Sequence, residues 1–184
     1  MKRLIFICSL LISGAAPAST PVQDGFAGAI RGCETWVLDP ASWVDGTRAF
    51  ESKVGLGSMM GSVDKVAEAS LPPPAMRRAN HFWRINASAD TGYVLVVSDQ
   101  LPICHITGGG RTDIRPAVAA ALTTPEFLQH WTKTGEHVAN GLVSTEFGSV
   151  VDPKFSIIIS HPNDSSWSLD RLQIIATAQY QLGG

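Results

Sequence analysis

The stretch YVLVVSDQLPICHITGGG, residues 93–110, decides the fold of this chain. Two apolar segments flank the turn-forming sequence SDQLP, and this pattern predicts antiparallel strands at 93–98 and 103–107. The segment VLVV is apolar at successive positions, which favours a central strand that is covered on both faces. The stretch also contains Cys104, a candidate for a disulfide, and three consecutive glycines, a candidate binding site.

Four further strands are predicted on either side of this stretch. One precedes it at 81–87, and three follow it at 142–150, 155–159 and 172–180. The last has the clearest alternation of apolar and polar residues, the pattern of a half-buried strand.

Three segments show helical spacing. Apolar residues recur every three or four positions from Val22 to Leu38, and Asp39-Pro40 ends that helix because the residue before proline avoids the helical region. A second helix is expected at 114–122. A third should begin at Thr124-Pro125-Glu126, with Gly135 as its stop. A short helix could also form at 62–69. The sum predicts an α+β domain: an antiparallel sheet of five or six strands, with helices mainly on one face and one disulfide.

The N-terminus has the order of a secretory signal peptide. Lys2 and Arg3 precede an apolar run from Leu4 to Ile12, and Ala16-Pro17-Ala18 supplies small residues for cleavage. We therefore expect residues 1–18 to be removed, leaving a single α+β domain at 19–184 in a periplasmic or secreted protein. No later stretch is long and apolar enough to predict a membrane span.

Charge argues against two classes of partner. The chain has 14 basic and 16 acidic residues, so losing Lys2 and Arg3 moves the net charge from −2 to −4. No basic run remains, and we therefore expect neither nucleic acid nor an anionic membrane as a partner.

Cysteine counting predicts a disulfide. Removal of the signal peptide takes Cys8 away and leaves Cys33 and Cys104, and an exported chain with one such pair favours a bridge between them. The alternative is two free buried thiols. The bridge would close a loop of about 70 residues and contribute roughly 4 kcal/mol. A Cys104–His105 dyad is not expected, because neighbouring side chains on a strand point to opposite faces.

Gly108, Gly109 and Gly110 precede a predicted helix start and could bind an anion with free backbone amides. The run lacks the lysine and hydroxyl of a phosphate-binding loop, and Asp113 occupies the place of the third dinucleotide-binding glycine. We favour a mobile connector between strand and helix.

Three short motifs could carry serine chemistry. They are Ser62-Val63-Asp64-Lys65, Ser98-Asp99-Gln100 and Lys133-Thr134-Gly135. The three motifs, and their order along the chain, resemble those of penicillin-binding proteins and serine β-lactamases. The resemblance implies that Lys65 would help to deprotonate Ser62 and that the other motifs would position a β-lactam or peptide. Gln100 departs from the asparagine of that family, and only about 67 residues separate Lys65 from Lys133.

The sequence contains an incomplete set of candidate metal ligands. Glu126 and His130 are four residues apart on a predicted helix, and Glu136 and His137 follow. There is no H-E-x-x-H and no cysteine pair, so we expect a solvated pair and no metal or other cofactor.

Tryptophans could line a groove for a sugar or peptide. Trp43 and Trp167 lie in loop-like segments and are the better candidates for a surface site. A tryptophan in a loop more often packs back against the core. The others lie on apolar faces, which predicts core positions for Trp36, Trp83 and Trp131.

No complete set of catalytic groups emerges from these patterns. The leading hypothesis is an exported, non-enzymatic domain that binds a protein or a small molecule. The alternatives are a serine acyl-transferring enzyme that uses Ser62 and Lys65, and a subunit of a cell-envelope assembly.

Overall fold

Eight antiparallel strands form one sheet in the order β1-β2-β3-β4-β8-β7-β6-β5. The structure is a computed structural model that describes residues 18–164 and 172–181. The signal-peptide prediction therefore falls almost entirely outside the described residues. The strands are β1 Met60–Val63, β2 Asn80–Asn86, β3 Thr91–Ser98, β4 Ile103–Gly110, β5 Trp131–Ala139, β6 Leu142–Ser149, β7 Phe155–Pro162 and β8 Leu172–Tyr180.

The prediction of five or six strands was wrong, because β1 and β5 were missed. Both lie at an edge of the sheet, where each has one neighbour among the described strands. β1 is four residues long and lies in a glycine-broken region, where the short helix was expected at 62–69. β5 is exposed at most of its positions and therefore lacks the apolar alternation that identifies a strand.

Within the part of the chain that the structure describes, four α-helices cover one face of the sheet, here named the inner face. They are α1 Pro21–Leu38, α2 Thr47–Val54, α3 Arg115–Ala121 and α4 Pro125–His130. α1 packs across β3 and β4. Its close approach uses small residues, since a Cβ atom added to Gly32 would lie 3.0 Å from the Leu95 side chain. None of the helices in the described ranges has both the length and the apolar character needed to cross a bilayer.

The helix ends follow local signals in two cases. Thr20 caps α1 by accepting a hydrogen bond from the Gln23 backbone N–H at 3.2 Å, and Thr124 caps α4 in the same way from Phe127. The predicted stop of the last helix at Gly135 was wrong. α4 ends at His130, and the next residue already has the extended conformation of β5.

A disulfide joins Cys33 on α1 to Cys104 on β4, as predicted, with the two Cα atoms 5.5 Å apart. Both residues are fully buried in the core. The bridge fixes the longest helix to the centre of the sheet. Around it lies a continuous apolar layer that includes the largest fully buried aromatic side chains, Trp83, Trp131, Phe26, Phe50 and Phe155.

The opposite or outer face of the sheet is partly covered as well. Val96 and His105 point to this face and are 1% and 5% exposed. Ala67, Ala69 and Ser70, between β1 and β2, line one groove together with outer-face residues of β3 and β4. β3 is therefore buried on both faces, as the VLVV segment predicted.

Candidate functional site

Cys104 and His105 do not form a dyad. Cys104 points to the inner face and is bonded to Cys33, whereas the His105 Nδ1 lies 2.9 Å from Thr177 Oγ1 on the outer face. Burial lowers the pKa of His105 from 6.5 to about 4. The imidazole is therefore neutral at physiological pH and acts as a buried hydrogen-bonding group.

The three glycines are part of a strand, so the expectation of a mobile connector was wrong. They end β4 and pair with residues 91–93 of β3. A Cβ atom on Gly108 would lie 2.5 Å from the Tyr93 ring, and Gly110 has a φ of +144° that side chains rarely adopt. Close packing and an unusual backbone angle account for these two glycines without a bound phosphate.

The motifs of the serine-enzyme hypothesis lie in different places. Ser62 is on edge strand β1, and Lys133-Thr134-Gly135 is on β5 at the other edge. Seven strand spacings of about 4.8 Å separate the two edges. Lys65 lies beyond the end of β1 and is exposed. The structure therefore does not bring these three motifs together.

A different set of groups meets near Ser62. The His81 Nε2 lies 2.8 Å from Asp99 Oδ2, so the second motif contributes its aspartate. Ser62 and His81 line the same cavity of about 310 Å³. Ser62 pairs with Trp83 across β1 and β2, which places Ser62 and His81 on the same face as diagonal neighbours. No hydrogen bond joins Ser62 to His81 in the described structure.

The candidate metal ligands are divided between separate pairs. Glu126 binds Arg31 at 2.8 Å, and His130 binds Glu34 through Nδ1, with both partners on α1. Glu136 pairs with Lys133 on β5. Among residues 18–164 and 172–181, no group of three or more potential ligands lies close enough to hold a metal ion.

The tryptophans are mainly structural. Trp36, Trp83 and Trp131 are at most 3% exposed, which confirms their predicted core positions. Trp43 is half-buried and stacks on Trp36 with ring centroids 4.6 Å apart. Trp167 lies outside the described residues.

A small cavity lies between α1 and the turn that leads from α3 into α4 and β5. Its volume is about 100 Å³. The helical spacing of α1 places Phe26 and Ile30 on the inner wall, and the early end of α4 turns Trp131 inward as the first residue of β5. Phe127 completes an apolar interior, and we name the whole space the α1–α4 cleft.

Two ion pairs lie at the mouth of the cleft. Arg31 donates to Glu126 at 2.8 Å through Nη1 and to the Val54 carbonyl at 3.0 Å through Nε. The two Glu34 oxygens lie 2.9 and 3.1 Å from His130 Nδ1. The cleft therefore combines an aromatic interior with charged groups at its opening, the usual composition of a small-molecule site.

Sequence reasoning placed Glu126 and His130 on one helical face but missed Arg31 and Glu34. The partners are 95 and 96 residues apart along the chain, and no local pattern connects them. Arg31 and Glu34 lie outside the apolar stripe of α1, where charged residues are ordinary, so the sequence held no signal that singled them out.

Comparison with protein-family models, with characterised proteins and with solved structures finds no match to this chain.

Proposed function

We propose that this chain is an exported, non-enzymatic protein that binds a small ligand in the α1–α4 cleft. Export is supported by the signal-like N-terminus and by the Cys33–Cys104 bridge, because stable disulfides belong mostly to oxidising compartments. A binding role is supported by the cleft, in which an apolar interior and a charged mouth coincide.

The observation that carries the proposal is the cavity of about 100 Å³, with Phe26, Phe127 and Trp131 in its lining. An apolar cavity of about 150 Å³ in another protein admits benzene. The cleft is somewhat smaller but open at one side, so it suits a compact apolar group about the size of a single ring. Removing such a group from water supplies the driving force for binding.

Titration with toluene tests the site. In a ¹H–¹⁵N correlation spectrum, we expect the largest shifts at the Trp131 indole N–H and at the backbone of α1 and α4. Ala27→Leu should fill the cleft and weaken toluene binding about tenfold or more.

Ala120→Leu is the matched control, since Ala120 is exposed on α3 and does not line the cleft. Shifts spread evenly over the protein, or binding unchanged in Ala27→Leu, would contradict the proposal. Thermal unfolding of both variants checks that each is folded.

A second candidate function is ester or amide hydrolysis by Ser62. His81 would act as the general base, and Asp99 would orient it. The supporting observation is the 2.8 Å contact of His81 with Asp99 beside the cavity that Ser62 also lines. Ser62 Oγ would attack the acyl carbon, His81 would pass its proton to the leaving alcohol or amine, and water would then release the acid.

Covalent labelling by a fluorophosphonate separates the two functions. Labelling that is lost in Ser62→Ala and retained in Ser58→Ala would establish the enzyme and overturn the non-enzymatic proposal. Ser58 is an exposed serine just before β1 and serves as the control. We expect no labelling.

The assembly hypothesis stays a prediction. Among the described strands, the nine-residue edge strand β5 pairs only with β6, so its other side could accept a strand from a partner. Crosslinking in the native envelope that recovered one stoichiometric partner would favour it.

A further inference from the structure

Glu34 is the most shielded charged group at the α1–α4 cleft. Its side chain is 17% exposed, compared with 68% for Glu126 and 38% for Arg31. The side chain's only hydrogen-bond partner within the described residues is the imidazole of His130, although a carboxylate can accept about four hydrogen bonds. A shielded carboxylate with spare acceptor capacity favours an additional donor.

The partner of Glu34 is itself easy to displace. The His130 side chain is 46% exposed and ends the short helix α4. Arg31, in contrast, is held by both Glu126 and the Val54 carbonyl. A competing donor that enters the cleft would therefore reach Glu34 by moving His130 toward solvent.

The charges around the cleft favour a cation. α1 contributes Arg31 and Glu34, and α4 contributes Glu126 and His130. The lining residues from α3 and β5 carry no charge. Two carboxylates thus face one guanidinium and one imidazole, and the guanidinium is already bonded to the more exposed carboxylate.

We propose that the cleft recognises a primary amine joined to a compact apolar group, with the ammonium bound to Glu34 and the apolar group against Trp131. This inference rests on the proposed binding function and specifies the ligand class. An ammonium has three donors, so it can bind both oxygens of Glu34. The apolar group fills the aromatic interior and excludes water from the ion pair, which strengthens it.

Three probes of the same ring size test the charge preference: benzylamine, toluene and phenylacetate. Isothermal titration at pH 8 should give benzylamine a dissociation constant on the order of 1 mM, as expected for so few atoms. Benzylamine should bind about tenfold more tightly than toluene, and phenylacetate more weakly than either.

Two variants with opposite expected effects complete the test. Glu34→Gln should weaken benzylamine binding about tenfold, which removes its advantage over toluene. His130→Ala removes the competing partner of Glu34 and should strengthen benzylamine binding severalfold. A purely structural role of the Glu34–His130 pair would instead weaken all three probes in both variants.

The outcomes distinguish this inference from the binding function. Toluene binding without a preference for benzylamine overturns the amine assignment and leaves the cleft as an apolar site. Absence of binding by all three probes in the folded protein overturns both.

Discussion

Thr107 illustrates how a single residue on the outer face reduces stability. Its side chain is 1% exposed, and its Oγ1 has no hydrogen-bond partner among the described residues. A buried hydroxyl without a partner costs about 1–3 kcal/mol. Valine has nearly the same shape, so Thr107→Val should raise the free energy of unfolding by about 1 kcal/mol. Urea denaturation measures this change.

Thr177→Val is the control on the neighbouring strand β8. Thr177 Oγ1 is paired with His105 Nδ1 at 2.9 Å, and the same substitution there leaves a buried ring nitrogen without a partner. We expect it to lower the free energy of unfolding by about 1–3 kcal/mol. Equal effects of the two substitutions would refute this account of the outer face.

His105 makes the stability depend on pH. Its pKa is about 4 in the folded protein, against the ordinary value of 6.5, because burial disfavours the charged imidazolium. Between these values the unfolded chain binds a proton that the folded protein excludes. Stability should therefore fall as the pH decreases from 6.5 to about 4, by up to about 3 kcal/mol from this residue.

His105→Gln should remove much of that loss, since glutamine does not titrate. Thermal unfolding between pH 7 and pH 4 measures the slope for wild type and variant. His137→Gln, at an exposed position of β5, should leave the slope of the wild type unchanged. A His105→Gln slope equal to that of the wild type would show that other groups cause the acid sensitivity.

At the scale of helices and strands, the sequence predicted those elements whose apolar residues face the core. α1 and β8 were recognised because their apolar residues recur at the spacing of a helix and of a strand, and most of those residues are buried. β5 was not recognised. Only Trp131 in that strand is buried, and its other positions show no regular spacing of buried residues. The strand also contains an irregularity between Lys133 and Gly135. Edge strands commonly carry such a bulge and a lysine, which discourage pairing with other chains, so these features of β5 count against the assembly hypothesis.

The candidate site was less predictable than the fold. The α1–α4 cleft depends on where α4 stops, and the glycine signal placed that stop five residues too late. Its charged groups meet only because α1 and α4 pack side by side, and the pairs that join them span 95 and 96 residues. Local propensity contains no information about contacts at that separation. The disulfide was predicted because the expected removal of the signal peptide leaves two cysteines, which offer one intramolecular pairing.

At the scale of the whole molecule, the disulfide should be a large single contribution to stability. It closes a separation of 71 residues, and chain-entropy models assign roughly 4 kcal/mol to a loop of that length. The double variant Cys33→Ala/Cys104→Ala should lose about that much free energy of unfolding in guanidinium denaturation. Addition of a reductant to the unfolded wild type should bring its refolded stability close to that of the variant. A loss below about 1 kcal/mol would contradict the model.

The position of β8 also has a consequence for folding. Among the described strands it comes latest in sequence, yet it lies between β4 and β7 and alone connects the β1–β4 and β5–β7 parts of the described sheet. The sheet is therefore completed by the pairing of β8 with β4, which is far away in sequence, and such long-range pairings form slowly. A polypeptide that lacks residues 172–180 should be unable to join its two groups of strands into one sheet.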